Sequence, residues 1–168
     1  MKSSLVFLLS VAAPAALHAQ NAAVSTTGEL WKDITAYITT AAEELTPAQY
    51  AFRPTEKVRS FGQLVAHVAG AQNLICAAAL GDPPRAEDEF EKPDATKEQL
   101  VAALKASTAY CVKAYAQTDA AAQQTTKLFG RDRTRLFALV LNVTHNGEHY
   151  GNIITYMRMQ GLVPPSSR

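Results

Sequence analysis

The chain lacks an excess of charge of either sign: 16 lysines and arginines face 15 acids, for a formal net charge of +1. So weak a field does not steer a protein toward phosphate backbones or anionic lipid, which excludes nucleic-acid and membrane-surface binding as the main activity. Cysteine is scarce, with Cys76 and Cys111 the only two, and none follows the N-terminal apolar stretch as a site of lipid attachment. No segment alternates with period two for long enough to argue a strand. Internal repeats and low-complexity segments are absent too. What remains is a chain of 168 residues, 48% apolar, long enough for one compact domain.

The first residues do not read as part of that domain. "MKSSLVFLLSVAAPAALHAQ" has a lysine near its start, an apolar run from Leu5 to Ala13, and small residues around Ala19. This is the pattern of a secretory signal peptide covering residues 1–19, with cleavage after Ala19 or, as a second site, near Ala15. The apolar run is too short to span a bilayer and ends at Pro14. The expected product is a soluble secreted or periplasmic domain over residues 20–168, with no stable membrane insertion. Export would place both cysteines where pairing is chemically open. Two separate small core residues fit the sequence equally well.

Four helices are expected. "TTGELWKDITAYITTAAEEL" opens with Thr26 three residues before Glu29, "SFGQLVAHVAGAQNLICAAAL" with Ser60 before Gln63, and "TKEQLVAALKASTAYCVKAYAQ" with Thr96 before Gln99. Each pair matches a capping box. The second helix stops at Gly81, and the last, "RTRLFALVLNVTHNGEHYGNIITYMRMQ", at Gly161 before a pair of prolines. The connections "TPAQYAFRPTEKVR", "DPPRAEDEFEKPDA" and "TDAAAQQTTKLFGRD" exceed those of a simple up-down bundle, so they have the length to cross it. The second is acidic and proline-rich and reads as exposed. Thr46 should cap a short turn starting at Pro47. The fold class is therefore all-α, a four-helix bundle with long inter-helix linkers, and sites are expected on its facing helices.

Histidine carries the chemistry. His145 and His149 lie about 40° apart on one helical face, with Cβ atoms roughly 5–6 Å apart, a spacing that suits two nitrogens on one ion. His67 sits within the second helix among Val65, Ala66, Val68 and Ala69. With His18 lost in the signal peptide, these three are the histidines of the mature chain, all on faces that a bundle turns inward. Three neutral imidazoles with an open fourth position make a site for one divalent ion, Zn²⁺ or Ni²⁺ first, with Fe²⁺ and Mn²⁺ also compatible. The competing arrangement is a metal-free bundle with the histidines hydrogen-bonded in its core.

"HNGEH" also matches the H-x-x-E-H pattern of a zinc-peptidase class, with Glu148 as general base. That class takes a downstream glutamate as third ligand, and no acid follows His149. Glu148 is rotated about 60° from His145, toward the rim of the site. Gln63, Glu148, Asn152 and Tyr156 are candidates for orienting the ligands, since a ligating imidazole needs an acceptor for its other nitrogen. Gly147 and Gly151 suggest a close helix crossing, within the bundle or across a dimer interface. Trp31, Tyr110 and Tyr115 are assigned to packing.

"RSFGQLVAHVAGAQN" together with "HNGEHYGNIITYMRMQGLVPPSS" resembles the DinB-like superfamily, and in particular its exported bacterial branch. The resemblance runs from "LTPAQYAFRP" to the final prolines and rests on one histidine, a long gap, then H-x-x-x-H. It implies an up-down-down-up bundle, a metal triad of His67, His145 and His149, and frequent homodimers. Many relatives carry aspartate or asparagine at the first residue of the pair, where this chain keeps His145. Characterised members of the wider superfamily include thiol S-transferases and a thiol-dependent isomerase, and many have no known activity. The expected function is that of a metal-dependent hydrolase or transferase acting on a small molecule. The alternative is a non-enzymatic, exported metal-binding or stress-associated dimeric bundle.

Overall fold

The structure, a computed structural model, describes residues 21–168; the expected signal peptide over 1–19, with its expected cleavage sites, lies outside the described residues. Four long helices form the bundle: α1 (Ala22–Glu44), α3 (Phe61–Leu80), α4 (Lys97–Ala114) and α6 (Arg135–Met159). Two single-turn helices, α2 (Pro47–Tyr50) and α5 (Asp119–Ala122), lie in the connections. A 3₁₀ turn over Pro165–Ser167 closes the chain.

The capping boxes at Ser60 and Thr96 are present, and Thr46 with Gln49 forms another before α2. Gly81 ends α3 in the left-handed conformation, φ 77°, that a side chain resists. The start of α1 departs from the expectation at Thr26. The helix begins earlier, at Ala22, because Asp119 of α5 accepts hydrogen bonds from the Ala23 and Val24 N–H groups at 3.0 and 2.8 Å. A carboxylate at a helix N-terminus satisfies unpaired donors and favours the dipole.

Side-chain pairs fix the topology. Cys76 and Cys111, both near the C-terminal ends of α3 and α4, are joined in a disulfide, so these helices run parallel. Tyr37 of α1 stacks on Tyr150 of α6 at 5.4 Å, and Val24 shares a cluster with Ala138 and Leu139, so these two are also parallel. His67 meets His149 while Cys76 meets Asn142, which makes α3 and α6 antiparallel. The result is an up-down-down-up bundle. By length and mean hydropathy α3 passes for a membrane span, yet it is mostly buried inside the bundle, as a helix apolar on every side should be.

Two apolar clusters fill the bundle. One surrounds Phe61, Val65, Leu104 and Ile153, the other Ile75, Cys76, Cys111 and Leu139. Fully or nearly fully buried polar groups also join the helices. Trp31 Nε1 donates to Gln72 Oε1 at 2.8 Å, Asn146 Nδ2 donates to the same oxygen at 3.2 Å, and Gln72 Nε2 donates to Ser107 Oγ at 3.2 Å. Trp31 also stacks on Tyr115 at 4.5 Å.

Two connections differ from the sequence reading. Residues Thr125–Leu128 (β1) and Arg131–Thr134 (β2) form an antiparallel hairpin, pairing Leu128 with Arg131, where no strand was expected. Its two-residue turn, Phe129 and Gly130, has positive φ at both positions, as tight hairpins require. Of the three linkers, only the segment from Gly81 to Thr96 must run the length of the bundle, because it joins parallel helices. A helix of 20 residues rises about 30 Å, well within the reach of an extended segment of this size.

Candidate metal centre

The crossing linker is not merely an exposed tether, as its composition suggested. Tyr110 anchors its start, donating to Asp82 at 2.6 Å and lying under the Arg85 guanidinium at 3.9 Å. Farther along, Glu87, Phe90 and Glu91 turn inward while Asp88 and Glu89 stay exposed, and Phe90 packs on the core. The close approach falls at Gly70, one turn beyond His67. A Cβ there would lie far inside van der Waals contact with the Glu87 carbonyl. Gly70 thus lets the linker backbone lie on α3 and brings two carboxylates beside His67.

The three histidines converge from α3 and α6. His67 Nε2 lies 3.2 Å from His145 Nε2, which lies 3.1 Å from His149 Nε2. One ligating atom from each lies within 4.8 Å of the others. His67 and His149 are buried and His145 is half-buried. At Zn–N distances of about 2.0–2.1 Å, tetrahedral ligand nitrogens stand about 3.3 Å apart, so the two short separations fit one ion. Lone pairs meeting this closely repel each other unless a proton or a cation lies between them.

Electrostatics disfavour a second, charging proton on these rings, while a neutral tautomer still has one N–H that can lie between two Nε2 atoms. Burial, with the His145 and His67 imidazoles beside it, pushes the His149 pKa down to about 3, so this ring is neutral at physiological pH. Burial and His67 also lower His145, opposed by the charges of Glu87 and Glu148. A neutral imidazole is the form that ligates a metal.

His67 is oriented from outside. Its Nδ1 lies 2.9 Å from Glu91 Oε1, and Arg59 forks onto the same carboxylate through Nε and Nη2, both at 3.1 Å. Burial alone would raise the Glu91 carboxyl, but the bonds from Arg59 and His67 outweigh it and hold it below its ordinary range. An ionised Glu91 fixes the proton on Nδ1 and turns the Nε2 lone pair toward the other imidazoles. The corresponding Nδ1 atoms of His145 and His149 are buried without a hydrogen-bond partner among the described residues.

The other candidates occupy different places. Gln63 closes the capping box by accepting from the Ser60 N–H at 2.9 Å. Glu148 and Asn152 are exposed. Tyr156 acts at one remove, donating to the Arg59 carbonyl at 2.8 Å and so supporting the residue that holds Glu91. Glu91 and Glu87 were missed because their sequence context is an acidic linker. The signal that could have found them is the need of a ligating histidine for an outside acceptor, combined with an apolar Phe90 amid acids.

Two expectations follow for the glycines. Gly147 and Gly151 make no close crossing within the described chain: an added Cβ would meet only Ile34 Cδ1, at 3.8 Å, or nothing within 4 Å. Gly151→Ala should therefore stabilise the fold by about 0.5–1 kcal/mol. Gly70→Ala should destabilise it by about 1–3 kcal/mol and, by lifting the linker, weaken Zn²⁺ binding. Urea denaturation and Zn²⁺ titration of both variants check the contrast. A further expectation concerns Glu91. Glu91→Gln should weaken Zn²⁺ binding by roughly 10- to 100-fold with little change in fold, measured by competition with a chelating dye.

Residues 30–153 match the family model of the DinB superfamily. A solved DinB-like protein from Bacillus cereus superposes with a TM-score of 0.71 at 18% identity, covering 83% of this chain and 93% of that one. A DinB-like protein from Bacillus subtilis gives 0.64 at 23% identity, covering 84% and 92%. No curated protein matches the chain. At these identities the solved structures speak for the fold alone, whereas the family model spans most of the sequence: the chain belongs to the DinB superfamily.

Proposed function

We propose that this DinB protein is exported, holds one divalent metal ion through His67, His145 and His149, and acts as a metal-dependent hydrolase or transferase on a small molecule. The observation that carries the reading is the convergence of three imidazole Nε2 atoms, one of them oriented by a carboxylate on its far nitrogen. A divalent ion in this donor set polarises a carbonyl or acidifies a water or thiol. The chain's own contribution is to keep His149 neutral, to hold His67 through Glu91, and to leave His145 and Glu87 half-buried on the side that solvent reaches. Zn²⁺ and Ni²⁺ suit three imidazoles first.

The Cys76–Cys111 disulfide supports export, because such bonds persist in oxidising compartments. Export in turn favours hydrolysis over transfer of cytoplasmic thiols, since hydrolysis needs no co-substrate beyond water. A homodimer belongs to the same reading. Phe137 and Val140, 45% and 44% exposed, share a face of α6 with Gly147 and Gly151.

The test is elemental analysis of the mature protein, purified from the exported fraction without a histidine tag, beside His67→Ala. Near-stoichiometric metal in the native protein and none in the variant is the expected result, and it justifies screening ester, amide and thiol-transfer substrates with that ion. No metal after reconstitution with Zn²⁺, Ni²⁺, Fe²⁺ and Mn²⁺ would overturn the reading.

A further inference from the structure

We propose that Glu87 supplies a fourth, oxygen ligand to the ion, closing the site from the linker that crosses α3. This rests on the metal-binding reading above and adds to it a donor from outside the helices. Glu87 Oε1 lies 3.9 Å from His67 Nε2, the nitrogen that faces the other imidazoles, whereas Glu91 takes Nδ1 on the opposite edge of the ring. The two carboxylates thus have different tasks. Glu91 is committed to His67 Nδ1 and Arg59 and has no freedom to reach the ion. Glu87 has no other ion-pair partner among the described residues, and its side chain is 39% exposed.

Its backbone, by contrast, is fixed, because the Glu87 carbonyl rests against Gly70. The result is a short tether with a half-exposed tip. Ligand atoms around Zn²⁺ at about 2.0–2.2 Å stand roughly 3.3–3.6 Å apart, and Oε1 is near that spacing from His67 Nε2 but outside the 4.8 Å that gathers the three imidazoles, so the carboxylate has to swing inward by on the order of 1 Å. Rotation about the side-chain bonds of a half-exposed glutamate provides that. Three imidazoles and a carboxylate suit Zn²⁺, Fe²⁺ or Mn²⁺, and the carboxylate charge offsets part of the ion's own. A ligand carried by a linker can also yield to an incoming substrate oxygen without moving a helix.

Cobalt-substituted protein tests this without any substrate. Wild type, Glu87→Gln and Glu87→Ala are titrated with Co²⁺, their visible spectra recorded, and neutral imidazole added as a probe of an open position. Both variants are expected to bind Co²⁺ roughly 10- to 100-fold more weakly, with altered visible bands. Imidazole should shift their spectra at concentrations that leave the wild type unchanged. An unchanged spectrum in Glu87→Ala, or an equal imidazole response in all three proteins, would overturn the proposal, even if affinity fell through loss of charge. If that happens while His149→Ala abolishes the Co²⁺ spectrum, the three-histidine reading stands and Glu87 is not a ligand. A wild type that binds no Co²⁺ would remove both.

Discussion

His149→Ala is expected to lower the affinity for Zn²⁺ by at least about two orders of magnitude, or about 3 kcal/mol. The ring is only 8% exposed, neutral at physiological pH, and contributes one of three converging nitrogens. The loss is clearest as a missing thermal shift. Zn²⁺ held at 100 times its dissociation constant stabilises the wild type by about 2.7 kcal/mol, or roughly 5–11 °C in a domain of this size. The variant should show almost none of that shift at the same concentration. Without metal the two proteins should differ far less, because removing the ring leaves a cavity but also removes a buried Nδ1 with no hydrogen-bond partner among the described residues. Scanning calorimetry with and without Zn²⁺ separates the two effects. An undiminished shift in the variant would mean that the ion binds elsewhere.

The second large effect is expected from the disulfide. Cys76 and Cys111 are fully buried, and their bond closes a loop of sequence separation 35. That loop includes the linker bearing Glu87 and Glu91 as well as much of α4. Loop-closure entropy of this size is worth about 3–4 kcal/mol in the unfolded chain. Removing it takes a large share of the roughly 5–15 kcal/mol that holds a domain together. Cys76→Ala with Cys111→Ala should therefore unfold at a much lower urea concentration. Its Zn²⁺ affinity, measured well below that midpoint, should change only a few-fold, because the bond lies toward the other end of α3 from His67. A midpoint equal to that of the oxidised wild type would remove the disulfide from the account of stability.

What the sequence made legible follows local rules. Ser60 with Gln63 and Thr96 with Gln99 announce helix starts because both partners of each capping box lie within one turn. His145 and His149 announce a shared face for the same reason. The features missed depend on residues distant in sequence. Asp119 caps α1 across a separation of 96 residues, so no pattern near Ala22 could reveal that start. The hairpin escaped notice because its strands have four residues each and its turn uses Phe129, not the asparagine that positive φ favours. Glu91 reaches His67 across 24 residues, and only because α3 and α4 are parallel and the chain must travel back between them. Helical periodicity reports which side of a helix is apolar. It carries no information about what a returning linker will pass.

The hydrogen bonds joining Trp31, Gln72, Ser107 and Asn146 have a consequence for the alignment of the helices. Apolar ridges are nearly interchangeable, so packed helices can in principle slide by one turn, about 5.4 Å, and still bury similar area. Amides cannot be exchanged in this way. A slip of α6 along α3 would part Asn146 from Gln72 and leave both buried groups short of partners, at about 1–3 kcal/mol each. Asn146 adjoins His145, and Gln72 lies little more than a turn from His67. The polar bonds therefore act as a vernier for the bundle, setting the height at which imidazoles from two different helices meet.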